Sequence, residues 1–224
     1  MVTHVIFDMD GLLLDTEKLY TAAQVENLRN HGHQFTWDIK KRTMGSGGEA
    51  SSKFIIEHFK LNLTVQEYID QFDAIFSRML VDVQLMPGAE KLVRHLHKHK
   101  VPIALCTGAR ARNYEKKTTK YKDLFSLFAP IVMASDDAEI KRGKPNPDCF
   151  LTTAARFAQP PSHPSKVLVF EDSPNGVEAA LAAKMKVVMV PDPRVDEQLK
   201  KLATLCLDSL EKFEPEQFGL PKFE

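Results

Sequence analysis

The chain has little of what marks a secreted, membrane-spanning or nucleic-acid-binding protein. Its three cysteines, Cys106, Cys149 and Cys206, are widely spaced and include no CxxC pair. That excludes a disulfide framework or a zinc knuckle and predicts buried thiols. Excess charge is missing too: Lys plus Arg and Asp plus Glu both number 30. No global field therefore recommends a nucleic acid polymer or an anionic membrane as partner. No apolar run approaches the roughly 18 residues of a transmembrane helix. An acid appears by Asp8, before the apolar stretch of a signal peptide could form, so a cytoplasmic protein is expected. Repeats and low-complexity tracts are absent as well.

What is present is ordinary for a folded globular chain, with 43% hydrophobic and 27% charged residues. Short, β-branched-rich apolar runs, "HVIF" (4–7), "PIALC" (102–106), "IVM" (131–133), "KVLVF" (166–170) and "VVMV" (187–190), read as strands buried on both faces. Helical patterns lie between them. "GAEKLVRHLHKH" places Ala89, Leu92, Val93 and Leu96 on one side. "NPDCFLTTAARFA" offers Asn146 as N-cap and Pro147 at the first helical position, and "SPNGVEAALAA" repeats the device with Ser173 and Pro174. Strand and helix alternate as in an α/β protein with a doubly wound, mainly parallel sheet.

Residues 17–86 break that alternation, with helical periodicity in "FIIEHF" and "YIDQFDAIFSRML" and no convincing strand. An insert of roughly 70 residues is too long for a crossover and suits a small helical subdomain. The expected division is a core of 1–16 and 87–224 with a helical cap of 17–86. The Gly/Ser-rich "MGSGGEASS" (44–52) within it is either a connecting loop or a ligand-facing surface.

In an open parallel sheet a ligand sits beyond the carboxyl ends of the strands. The residues expected there are Asp8 and Asp10 after the first strand, Thr107 and Gly108 after "PIALC", Lys144 in "KRGKPNP", and Glu171 and Asp172 after "KVLVF". Taken singly each is weak. Asp-x-Asp often sits in a solvated turn, and Glu-Asp before a helix favours the macrodipole. Together, carboxylates can hold a hard divalent cation while a lysine, a hydroxyl and backbone N–H groups hold a phosphate.

These motifs, "DMDG", "LCT", "KP" and "FEDS" in that order, resemble the haloacid dehalogenase superfamily of phosphohydrolases. "FDMDGLLLDTE", "LMPGAEKL", "FEDSPNGVEAALAA" and "VVMVPD" resemble its eukaryotic pseudouridine-5′-phosphatase branch. The resemblance implies the Rossmann-like fold of that superfamily with a helical cap, and a Mg²⁺-dependent phosphomonoester hydrolase acting on a small phosphorylated metabolite, pseudouridine 5′-phosphate in particular. It implies Asp8 as the nucleophile that forms an aspartyl-phosphate, and Asp10 as general acid and then base. Thr107, Gly108 and Lys144 would bind phosphate. Asp8, the Asp10 carbonyl and Asp172 would hold Mg²⁺, with Glu171 contributing directly or through water. Gly11 would allow a tight turn beside the ligand.

Two departures stand out: Gly108 where relatives often carry a small polar residue, and Lys184 where they end a helix with glycine, which predicts a left-handed lysine. The other readings are a sugar-phosphate or glycerol-phosphate phosphatase, a phosphosugar mutase, and a non-catalytic binding protein, against which the intact residue set argues. A monomer is expected. His95, His97 and His99 read as a basic helix end rather than a zinc site. The aromatics Trp37, Phe54, Phe59, Phe72 and Phe76 read as core rather than as a base-stacking surface.

Overall fold

The computed structural model of the chain describes residues 1–44, 46–80 and 83–224. Its six-stranded sheet has the order β3-β2-β1-β4-β5-β6 and is parallel throughout. The strands are β1 (His4–Phe7), β2 (Ile103–Thr107), β3 (Ile131–Met133), β4 (Val167–Glu171), β5 (Lys186–Met189) and β6 (Leu205–Cys206).

The continuous apolar runs are explained by two faces. Val5, Phe7, Leu105, Leu168, Phe170 and Val188 enter one core cluster, and Ile6, Ala104, Cys106, Val167, Val169 and Val187 the other. Helix α5 (Ala89–Lys98) covers the first face with Leu92, Val93 and Leu96, while α8 (Asp148–Ala155) and α9 (Pro174–Ala182) cover the second. A strand buried on both sides has no polar face to display, so its sequence does not alternate.

Several expectations are corrected. Thr107 and Glu171 are the last residues of their strands, not the first residues beyond them. Pro147, not Asn146, holds the N-cap position of α8, and no side chain caps that turn; the Asn146 side-chain N–H donates to the Gly143 carbonyl at 3.1 Å, closing the loop that carries Lys144. Cys206 is exposed, whereas Cys106 and Cys149 are buried. Cys206 lies on β6, a two-residue edge strand with too short an apolar run to be seen in the sequence. Lys184 does adopt the left-handed conformation, with φ 61°. His95 and His99 are spent on backbone carbonyls, of Pro221 and His95 respectively.

The inserted segment carries α1 (Glu17–Asn30), α2 (Trp37–Thr43), α3 (Gly48–Phe59) and α4 (Val65–Met79). Helix α4 opens on a reciprocal cap: Thr64 Oγ1 accepts from the Glu67 N–H at 3.2 Å, and Glu67 accepts from the Thr64 N–H at 2.8 Å. Leu28, Ile39, Ile55 and Tyr68 form a cluster of their own within the insert, flanked by Phe54 and Phe59. Phe72, Ile75 and Phe76 instead join the core with Leu12, Leu13 and Leu14. Gly45 of the Gly/Ser-rich stretch lies outside the described residues. Next to it, the Asn175 amide donates to the Met44 carbonyl at 2.6 Å and to Ser46 Oγ at 2.9 Å, and Arg194 stacks over Trp37 at 4.3 Å. These contacts tie the insert to the start of α9 and to the loop after β5.

Candidate active site

Strand register decides which polar groups meet. Phe7 pairs with Leu105 on one side and Phe170 on the other, so the next residue, Asp8, stands level with Glu171. Its N–H donates to the Phe170 carbonyl at 3.0 Å, which fixes the backbone on which the carboxylate is mounted. Beyond it Gly11 turns the chain with φ 80°. A Cβ there would run into Asp172 Oδ2 and lie 2.9 Å from Glu17 Cγ, so glycine is required both by the backbone and by the close approach of two carboxylate side chains.

The Lys144 ammonium lies between two carboxylates, 2.6 Å from Asp8 Oδ1 and 2.5 Å from Glu171 Oε1. All three side chains are nearly inaccessible. Burial alone would strip the charge from Lys144, but Asp8 and Glu171 reverse that and hold its pKa well above the ordinary lysine value. Glu171 is saturated: Oε2 accepts from the N–H groups of Asp172 and Ser173 at 3.0 and 3.1 Å and from Ser173 Oγ at 3.0 Å. Gly176 makes room for it, since a Cβ there would collide with the Glu171 carboxyl. Glu171 therefore anchors the lysine and the start of α9.

Asp8 and Asp172 remain undercompensated. Burial, then the charges of Glu171 and Asp10, push Asp8 up to about 7 in spite of Lys144. Burial, then the charges of Glu171, Glu17 and Asp8, raise Asp172 well above the carboxylate range. Among the described residues no donor reaches Asp8 Oδ2 or either side-chain oxygen of Asp172. Asp8, with one oxygen on Lys144 and the other open, and Asp172, with no cation beside it among the described residues, offer hard oxygens that fit a small divalent cation, which would restore the ionised form of both. Among the described residues no three His, Cys, Asp or Glu side chains converge as a metal group. Two carboxylates and a backbone carbonyl match the habit of Mg²⁺, which keeps much of its water.

Asp10 is held differently. Its Oδ1 accepts from Thr16 Oγ1 at 2.7 Å and from the Lys117 ammonium at 2.6 Å. Thr107 is fully buried, and its Oγ1 accepts from the Ala109 N–H at 3.0 Å, which shapes the turn through Gly108; the Gly108 carbonyl in turn accepts from Ser135 Oγ at 2.6 Å.

Sequence reasoning missed Lys117. It lies on α6 (Ala111–Thr118), a strongly polar helix whose one signal is the i, i+3 spacing of Lys117 from the half-buried Tyr114. Lys40, buried on α2 and bonded to Glu17 Oε2 at 3.1 Å and Thr21 Oγ1 at 2.8 Å, was equally hidden. Of the residues at the start of the insert, Glu17 lies against Gly11, Tyr20 packs on Phe72, and Lys18 is exposed and paired with Asp15.

Comparison with known proteins supplies an independent view. A family model described as haloacid dehalogenase-like hydrolase matches residues 2–184. The chain is 51% identical over 222 residues to the "Probable pseudouridine-5'-phosphatase" of Drosophila melanogaster, covering 99% of this chain and 96% of that protein. It is 44% identical over 225 residues to "(DL)-glycerol-3-phosphatase 2" of Arabidopsis thaliana, covering 100% and 93%. The crystal structure of a β-phosphoglucomutase from Clostridium difficile superposes with a TM-score of 0.82 at 20% identity, covering 97% and 95%. At that identity the likeness is one of fold.

Proposed function

We propose that this chain, which belongs to the haloacid dehalogenase-like hydrolases and is a phosphatase, hydrolyses pseudouridine 5′-phosphate with Asp8 as nucleophile and Mg²⁺ as cofactor. The observation that carries the chemistry is the buried Asp8, with one oxygen on Lys144 and, among the described residues, no donor on the other, beside an Asp172 carboxylate that no donor among those residues reaches. The substrate is taken from the 51% identical relative of that name.

In the first step the Asp8 carboxylate forms a bond to phosphorus, the P–O bond to the nucleoside breaks, and Asp10 gives a proton to the departing alkoxide. In the second, Asp10 takes a proton from water, the water oxygen bonds to phosphorus, and the acyl-phosphate bond to Asp8 breaks. Lys144, held by Glu171, holds the phosphate oxygens together with Thr107 and the Gly108 N–H. Asp8, Asp172 and the Asp10 carbonyl would hold Mg²⁺. When bound, the cation supplies the positive charge that lets an anionic phosphate approach an anionic nucleophile. Residues 17–86 act as the cap over the 1–16 and 87–224 core, a reading supported by the contacts of Asn175 with Met44 and Ser46 and of Arg194 with Trp37. Among the described residues no helix is long and apolar enough to cross a membrane. A cytoplasmic monomer that meets neither membrane nor nucleic acid polymer completes the reading.

The test is phosphate release across a panel of phosphorylated metabolites with and without Mg²⁺. Pseudouridine 5′-phosphate is expected to give the highest kcat/KM, and Asp8→Asn to give none. Turnover by Asp8→Asn equal to the parent would refute the mechanism. Preference for glycerol 3-phosphate, the substrate class named for the 44% identical relative, would replace the substrate and leave the mechanism standing.

A further inference from the structure

The geometry points to Lys117 as a positioning residue for Asp10, one that holds the proton carrier in place only while helix α6 is seated against helix α4 of the insert. The inference rests on the reading of Asp10 as general acid and base, and adds to it the group that aims the carboxyl.

Lys117 and Thr16 both donate to the same oxygen, Oδ1, at 2.6 and 2.7 Å. Two donors arriving from different segments fix the carboxyl plane as well as the oxygen. Among the described residues no donor reaches Oδ2. The second oxygen is thus left for the substrate, which is the division of labour a proton carrier needs. Burial makes the hold firm. The Lys117 side chain is 7% exposed, against 27% for Asp10. A buried ammonium that lost its carboxylate would be an uncompensated charge, so swinging Asp10 away from Lys117 is costly.

What keeps Lys117 there is the insert. Its ammonium lies over the ring of Phe76 on α4, 5.3 Å from the centroid. The same face of α6 reaches the C-terminal half of α4 at Asp73 and Ser77. Arg112 pairs with Asp73, the Asn113 amide donates to Asp73 Oδ1 at 3.2 Å, and Lys116 donates to Ser77 Oγ at 2.9 Å. Just beyond α6, the Tyr121 hydroxyl donates to the Val83 carbonyl on the segment that returns from the insert to the core, at 3.1 Å. Separating the insert from the core would break these contacts, remove the aromatic roof from Lys117 and expose it to water, where its claim on Asp10 weakens. Seating of the insert and aiming of Asp10 are therefore one event, and the carboxyl is in register only when the cleft is covered.

The test uses the full-length protein with Mg²⁺ and the best substrate of the panel, and it separates kcat from KM. Lys117→Met keeps the packing under Phe76 and removes the donor. It is expected to lower kcat by about 10- to 100-fold, the scale of a displaced catalytic group, with KM within about twofold. Lys117→Arg restores a charged donor and is expected to regain most of that loss. In an Asp10→Asn background, Lys117→Met is expected to have no further effect. Asp73→Ala, remote from the carboxyl, loosens α6 from α4 and is expected to lower kcat in the same direction, which keeps the proposal testable if Lys117→Met fails to fold by thermal melt.

Parental kcat in Lys117→Met or in Asp73→Ala, an arginine variant as poor as the methionine one, or a full further loss in the Asp10→Asn background would overturn it. If Asp10→Asn itself turns over like the parent, the reading of Asp10 fails. If Asp10→Asn is defective while Lys117→Met is not, only the role of Lys117 fails.

Discussion

Asp8→Asn is expected to make the metal-free protein more stable as well as inactive, and by an amount that depends on pH. The carboxyl is lifted from 3.8 to about 7, with burial as the main cause, so the site stores the cost of an ionised group it needs for chemistry. A rise of about three pH units at about 1.4 kcal/mol each sets a ceiling of about 4 kcal/mol. Relaxation of the ionised site around its charge reduces this, and we expect about 2 kcal/mol, or roughly 4–8 °C in Tm for a chain of this size.

The sign follows from proton binding. Folded Asp8 keeps its proton to higher pH than unfolded Asp8 does. Its contribution is therefore fully present below the unfolded value near 3.8 and is lost as pH rises through about 7. The amide does not titrate, so the variant's advantage should open between about pH 4 and pH 8. Thermal melts in a chelating buffer at pH 5, 6, 7 and 8 read this directly. Millimolar Mg²⁺ should raise the parent's Tm, by mass action on a site that only the folded state offers, and should narrow the gap at pH 8. A variant less stable than the parent at pH 8, or a gap that does not change with pH, would refute the argument that Asp8 is strained by its own charge.

Two further substitutions test the rest of the site and its frame. Lys144→Met strips the cation from between Asp8 and Glu171; it is expected to abolish phosphate release and to cost about 3–5 kcal/mol by urea denaturation, part of which Asp8→Asn should restore. Lys184→Gly relieves a left-handed lysine at φ 61° and is expected to add about 1 kcal/mol without touching kcat; a fall in Tm would show that the lysine side chain matters more than its backbone strain.

The strands were legible because burial on both faces leaves a mark that needs no partner to be read. "HVIF" became β1 with the same bounds, "KVLVF" moved one residue toward the C-terminus as β4, and "VVMV" moved one residue toward the N-terminus as β5. Ser173 at the start of α9 was legible for a similar reason, since the hydroxyl that accepts from the Gly176 N–H is encoded three residues away. Asn146 shows the limit: a residue type that often caps helices lies one position before the N-cap, Pro147, and turns its side-chain N–H back on the Gly143 carbonyl. The two-residue β6 is held by pairing to β5 rather than by its own pattern, and so was not foreseen.

The sequence by itself determined the α/β order, the helical insert and the residue types that gather at the strand ends, because hydrophobic periodicity and motif spacing are local quantities. Only the tertiary structure decided how those groups share their charge. Glu171 looked like a neighbour of Asp172 with the same task, yet its oxygens go to Lys144, to Ser173 and to backbone N–H groups, while no donor among the described residues reaches the Asp172 carboxylate. Asp10, expected from the sequence as the proton carrier beside the nucleophile, is bound by a lysine 107 residues further along the chain. The physical reason is the same in each case. Which oxygen meets which ammonium is fixed by register between strands and by the seating of one helix on another, and those distances appear only once the chain has folded.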